Sequence, residues 1–171
     1  MIKREIPKNI EAEEAILGAI FINQEAIYTV YEQLNIEDFY RKSHRTIFKA
    51  MLDLNAAKQS IDSITLTNYL ININKLEEVG GIAFITALPN KVPSTANLNH
   101  YISIVKEKSM LRNIINIAEH MESMSYDNEQ LDTPEMILDK TEQMISRLTK
   151  KNDCNESRQY SRSNIKGLYG Y

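Results

Sequence analysis

The residues able to do chemistry in this chain are few and poorly spaced for acting together. The three histidines, His44, His100 and His120, form no HExxH pair, and the single cysteine, Cys154, lies in a polar stretch with no histidine beside it. A zinc site wants cysteines or a close histidine pair, and a reactive thiolate wants a cationic partner, so neither can be assembled. His44, next to Arg45, reads as a solvent-facing or hydrogen-bonded structural histidine, and His100 and His120 as surface or capping residues. Adjacent carboxylates occur at Glu13-Glu14 and Glu77-Glu78. Acid–base catalysis would need a companion nucleophile and a cleft, so solvated helix faces are the better expectation. The Gly80-Gly81 pair is followed by Ile82-Ala83, and no GxxxxGK[ST] run exists. The backbone cradle that ATP hydrolysis requires is missing from these residues. No catalytic, cofactor-binding or metal-ligating residue is expected.

The elements that carry these residues read as all-α. Glycine (5) and proline (4) are scarce among 171 residues, with 43% hydrophobic and 25% charged, which suits one soluble domain with an extension. Asn9 is a candidate N-cap, with Glu11, Glu13 and Glu14 in a first turn and Ala12, Ala15, Ile16, Ala19 and Ile20 at helical spacing. Gly18 interrupts that stripe, and close packing would explain it. A second helix places Ile27, Val30, Tyr31 and Leu34 on one side. Asp38-Phe39-Tyr40 connects to a third, from about Lys42 to Leu54, burying Ile47, Phe48, Met51 and Leu52. Asp62 caps a fourth with Ile64, Leu66, Leu70 and Ile71 inward. Val79-Gly80-Gly81 turns into a short fifth carrying Ile82, Phe84, Ile85 and Leu88, and Pro89 and Pro93 bracket a loop.

From Ser94 to Ser125 neither proline nor glycine occurs, which allows one long helix carrying Leu111, Ile114, Ile115, Ala118 and Met121 at spacings of three and four. Thr133-Pro134-Glu135 starts another, with Ile137, Thr141, Met144, Ile145 and Leu148 on one face. Joined by a polar loop at 126–132, the two make an antiparallel hairpin. Two lone helices cannot cover both apolar faces, and several exposed aliphatic side chains would cost on the order of 5–10 kcal/mol. A second protein chain is the expected cover, the alternative being the chain's own head. The expected organisation is an N-terminal arm at 1–8, a helical head at 9–100, the hairpin at 101–149 and a linker or disordered tail at 150–171.

The formal charge of −3 is uneven. Lys150, Lys151, Arg158, Arg162 and Lys166 against Asp153 and Glu156 leave +3 on the stretch 149–171 and −6 on the rest. An acidic body disfavours direct nucleic-acid binding, which draws on lysine and arginine. No apolar run approaches 18 residues, MIKREIPKN has no signal-type core behind it, and the lone cysteine forms no internal disulfide. A cytoplasmic protein without a membrane span is expected.

The segments IEAEEAILGAIF, EDFYRKSHRTIFKAML, ID-S-ITL and LEEVGGIAFITALPNKVPSTANLNHY, in that order, resemble the N-terminal domain of the bacterial replicative DNA helicase, the DnaB family. The resemblance runs from about Pro7 to about Leu148. It implies a helical head and hairpin that assemble as a trimer of dimers, a collar on a ring of RecA-like motor domains. It also implies docking of the primase C-terminal domain on that collar, with a helicase loader as a further partner. The positions that would carry these contacts are Phe84 on the head and Leu111, Arg112, Ile115 and Met121 on the hairpin. ATP and magnesium would belong to a motor domain beyond this chain. After Lys150 the chain departs from the family, with Ser163-Asn164-Ile165-Lys166 standing where a linker helix would begin. It reads as a helicase cut at its linker, the alternatives being a proteolytic fragment or a natural short protein. A stand-alone collar protein that regulates or loads helicase in trans is the second functional reading. A primase helicase-binding domain ranks below both, and an unrecognised enzyme ranks last.

Overall fold

Asn9 opens the first helix as its spacing suggested: in extended conformation, its Oδ1 accepts the Ala12 N–H at 2.9 Å. In the computed structural model, which describes residues 5–126 and 133–166 and their side chains to residue 150, seven α-helices follow one another. They are α1 (Ile10–Ile22), α2 (Ala26–Gln33), α3 (Lys42–Ala56), α4 (Ser63–Asn72), α5 (Gly81–Ala87), α6 (Leu98–Tyr126) and α7 (Pro134–Lys166). Short 3-10 turns lie at Ile36–Asp38, Leu88–Lys91 and Thr95–Asn97. Among the described residues there is no strand, so the all-α expectation holds. The chain divides into two compact units, residues 1–109 and 110–171.

In the first unit α1 is the central element. Every residue from Ala12 to Ile20 is buried, so this helix has no solvated face. Gly18 is the point of closest approach. A Cβ there would run into the Leu88 carbonyl oxygen and come within 2.6 Å of Val92 Cγ2, so only glycine lets the 3-10 turn Leu88–Lys91 lie against α1. Around α1 pack Ile27, Val30 and Leu34 of the α2 region and Ile47, Phe48, Met51 and Leu54 of α3, while Leu66 and Leu70 extend the same core from α4, which lies against α3 and α5. Ile85, Leu88, Ile102 and Val105 complete the core. Phe39 leaves the connector to meet Phe48, with ring centroids 5.1 Å apart.

Several expected inward positions point outward. Ile64 and Ile71 are exposed on α4, where Thr67 takes the inward place between Leu66 and Leu70. That helix is apolar on more than one side, so periodicity alone picked too wide a face. Tyr31 on α2 and Ile82 on α5 are exposed for the same reason. The long helix begins at Leu98 after the 3-10 turn Thr95–Asn97, later than Ser94.

The second unit is the helical hairpin built from the C-terminal part of α6 and from α7. Its covered positions include Asn113, Ile117 and Met124 on α6 and Ile137, Thr141, Met144 and Leu148 on α7. α7 runs on to Lys166, past the boundary expected at Lys150. The apolar period does stop there, but no proline or glycine interrupts 135–166, so no residue of the segment forbids the helix from continuing. Tyr126 closes α6; the rest of the expected loop, 127–132, and the terminal residues 167–171 lie outside the described residues.

Candidate protein-interaction site

One exposed apolar surface of the second unit lies on α6. Leu111, Ile114 and Ile115 are 39%, 51% and 39% exposed, and with Ala118 they follow helical spacing down one face. Met121, 41% exposed, stands at the edge of that face. Arg112 lies a quarter-turn away and is half-buried. On α7, Met136, Leu138 and Ile145 are also exposed. Exposed apolar arrays of this size are uncommon on monomeric soluble proteins and are a feature of surfaces that meet other molecules. Four of the five sequence-singled positions, Leu111, Arg112, Ile115 and Met121, therefore lie in this unit, three of them open to solvent.

Phe84 lies in the first unit, on α5. It is half-buried and stacks on the His44 ring with centroids 5.9 Å apart and planes 14° from parallel. Gly80, at φ 101°, makes the left-handed turn that opens α5. There too a Cβ would crowd Phe84 Cβ at 3.0 Å, so glycine is needed both for the turn and for the ring above it.

Beneath Phe84 lies a polar cluster that the sequence did not announce. Glu13, 1% exposed, is no part of a solvated face. Its Oε1 accepts the Tyr40 N–H at 2.6 Å, and its Oε2 accepts the Arg41 N–H at 3.4 Å and sits 2.6 Å from His44 Nδ1. The carboxylate thus caps the entry to α3 from α1, taking up the N–H groups of the N-cap residue Arg41 and of Tyr40 before it. His44 is fully buried, which excludes its solvent-facing reading and keeps the hydrogen-bonded one. Its Nε2 has no hydrogen-bond partner among the described residues, so the ring proton belongs on Nδ1, donated to Glu13. Glu14 is buried as well and pairs with Lys91 at 3.1 Å. The one sequence signal was Glu13's place at helical spacing from Ile16, Leu17 and Ile20, on a helix that is apolar from Ala15 onward.

A second buried carboxylate ties α6 to the head. Asp38 accepts the Asn35 N–H at 2.7 Å on one oxygen and the Ser109 hydroxyl at 2.7 Å on the other. Ser109 is the last residue of the first unit. Two open clefts also indent this unit. One of about 510 Å³ is lined by Glu11, Glu14, Lys91, His100 and Tyr101 among others, and its charged wall is occupied by the Glu14–Lys91 pair. The other, about 410 Å³, contains Tyr69, whose hydroxyl donates to Asp53 at 2.8 Å. That bond, with burial and the nearby charge, holds the phenol above its ordinary pKa. Among the described residues no group of three or more His, Cys, Asp or Glu could hold a metal, and no helix is long and apolar enough to cross a membrane.

Comparison with known proteins places this arrangement. The model of the DnaB-like helicase N terminal domain family matches residues 5–107. The chain is similar to the replicative DNA helicase DnaC of Bacillus subtilis (strain 168), 42% identical over 145 residues, and to the replicative DNA helicase DnaB of Geobacillus stearothermophilus, 37% identical over 145 residues. Each match covers 85% of this chain and 32% of the relative, so the chain spans about a third of the length of these curated relatives. Among solved structures, the N-terminal domain of DnaB helicase from Mycobacterium tuberculosis aligns with TM-score 0.76 and 29% identity, over 84% of this chain and 99% of that one. A DnaB-like replicative helicase, described together with its interactions with primase, aligns with TM-score 0.60 and 25% identity, over 92% of this chain and 35% of that one.

Proposed function

This chain belongs to the DnaB-like helicase N-terminal domain family, and from that membership we propose that it works as an interaction module of DNA replication. It associates with copies of itself and offers a docking surface to primase. The observation that carries the reading is the apolar array on α6, Leu111 to Met121, left open on a helix of a matched fold. Support for the partner comes from the helicase solved with its primase interactions, which aligns over most of this chain. Leu111, Ile115 and Met121 supply apolar contact. Arg112 beside them supplies a guanidinium, and Phe84, in the first unit, offers a separate aromatic anchor held by His44; aromatic and arginine side chains dominate such interfaces. Unwinding by the relatives, with its ATP and magnesium, is assigned to parts of those proteins outside the matched third. A helicase loader is a further partner on the same reading, the cytoplasm its place, and nucleic acid is not a partner of the acidic body.

The test is sedimentation of the purified chain alone and with the C-terminal domain of primase from Geobacillus stearothermophilus. Association of the chain with itself, and a heavier complex with primase, are expected. Ile115→Glu should abolish one or both without lowering the thermal midpoint, because Ile115 is outside the core. A chain that remains monomeric and ignores primase at high concentration sinks the reading.

A further inference from the structure

Methionine is unevenly placed along this chain. Of seven methionines, five (Met110, Met121, Met124, Met136 and Met144) lie in the second unit. Among the described residues the core of the head holds one, Met51, in the company of leucine, isoleucine and valine. Leucine replaces methionine at small cost in packing and forms a helix equally well. Neither volume nor helix propensity therefore calls for the sulfur. Two of the hairpin methionines are open to solvent: Met121 is 41% and Met136 46% exposed, against 0% for Met51. Met121 borders the Leu111–Ile115 stripe of α6, and Met136 lies in the first turn of α7, two residues before the exposed Leu138. Met110, Met124 and Met144 are half-buried.

What the thioether adds to such a surface is a site of oxidation. Its sulfur lone pair takes up one oxygen of hydrogen peroxide. The O–O bond breaks, an S–O bond forms, sulfur gives up two electrons, and the second oxygen leaves as water. The product is a polar, chiral sulfoxide in place of a flexible apolar group. On a free hairpin the new oxygen is simply hydrated, and the fold is unaffected because neither side chain belongs to the core. Pressed against an apolar partner it must shed that water. The aliphatic side chains beside Met121 offer no hydrogen-bond donor in exchange, and burying a polar group unpaired is unfavourable. Oxidation thus acts on docking and spares folding.

We propose that Met121 and Met136 are modification sites for peroxide, whose conversion to sulfoxides switches off docking on the hairpin surface. Methionine sulfoxide reductases, which return the thioether, switch it on again. The inference rests on the docking proposed above and adds its regulation.

The experiment treats the full chain with graded hydrogen peroxide, then with dithiothreitol to return any oxidised Cys154 thiol. Peptide mass spectrometry locates the sulfoxides, circular dichroism follows the thermal midpoint, and sedimentation measures association with itself and with the C-terminal domain of primase from Geobacillus stearothermophilus. Sulfoxide is expected at Met121 and Met136 while Met51 is intact, with the thermal midpoint unchanged. The dissociation constant should rise by about tenfold for each sulfoxide that the contact buries. Treatment with methionine sulfoxide reductases should restore it, which damage to the fold or to other residues would not allow. The variant Met121→Leu/Met136→Leu keeps the apolar volume and has no sulfur to oxidise. It should associate as the parent does and continue to do so after peroxide. Oxidation of Met51 as fast as of the two hairpin residues, an oxidised chain that associates as before, or a leucine variant that loses association under peroxide overturns this inference and leaves the module reading standing. A parent chain that stays monomeric and ignores primase overturns both.

Discussion

Replacing Gly18 by alanine sets two well-known effects against each other, and the structure decides between them. In a solvated helix the change stabilises by about 1 kcal/mol, because glycine loses more backbone freedom on folding. Here the new methyl would enter the space of the Leu88 carbonyl oxygen and approach Val92 Cγ2 to 2.6 Å. Val92 could turn aside, but the oxygen is main chain in a 3-10 turn that follows α5 directly and contains Pro89, so relief requires the turn to move off α1. Overpacking of this kind costs roughly 1–3 kcal/mol, and a backbone obstacle belongs at the upper end. Subtracting the helix gain leaves a net loss of about 2 kcal/mol. For a chain of this size that lowers Tm by about 4–8 °C and the urea midpoint in proportion. Thermal and urea unfolding followed by circular dichroism measure it. Adding Val92→Ala should restore only a minor part, since the carbonyl remains. A Gly18→Ala chain with a raised midpoint would mean that helix propensity wins and that the close approach constrains nothing.

Other substitutions probe the polar contacts. Glu13→Gln should lower stability by about 2–3 kcal/mol, because a buried charge-assisted cap becomes neutral and an amide N–H₂ is set against the donors it faced; no change in the urea midpoint would remove Glu13 as the cap of α3. Asp62 accepts the Ile64 and Thr65 N–H groups at 3.0 and 2.8 Å, and bonds from Thr65 and Ser60 hold its carboxyl below the usual 3.8. A depressed carboxyl stabilises above its unfolded pKa and ceases to as pH falls through the folded one. Asp62→Ala should therefore cost about 1 kcal/mol at neutral pH, a difference that closes below about pH 4; a gap that persists at pH 2 refutes the cap. For Tyr69 the sign is opposite. Its raised phenol contributes below the ordinary 10.0 and loses that contribution as pH rises through the folded value, so Tyr69→Phe should destabilise by about 1 kcal/mol at neutral pH and by nothing in strong alkali.

Features written in neighbouring residues were legible from the chain alone. Asn9 and Asp62 as caps, Gly18 as a close approach, and Thr133-Pro134 as a helix start each depend on a handful of consecutive positions. What failed depends on partners far along the chain. Glu13 and His44 stand 31 positions apart, and nothing in either local context says that one caps the helix bearing the other. Ile64 and Ile71 were placed inward because α4 has apolar residues around more than half its circumference, and only the neighbouring helices decide which of them is covered. The end of the hairpin was drawn at Lys150 from a loss of apolar period, yet α7 continues to Lys166 where no proline or glycine breaks it. The exposed position of Leu111, Ile115 and Met121 was legible because the apolar stripe that carries them is longer than a two-helix hairpin can cover. The stacking of Phe84 on His44, and hence the support beneath that ring, was not.

The burial of α1 on every side has a consequence during synthesis. This helix leaves the ribosome before the other helices of the head, with Ile16, Leu17 and Ile20 and no solvated face to shield them. The turn that closes over Gly18 is 70 residues further along, at Leu88. At elongation rates of roughly 5–20 residues per second, α1 waits about 4–14 s for that partner. During that interval an apolar helix with buried-type carboxylates is the segment most open to holding chaperones or to wrong pairing with a neighbouring nascent chain. Slowing translation between α1 and α5 should lower the soluble yield of this head, whereas slowing it after α6 should not.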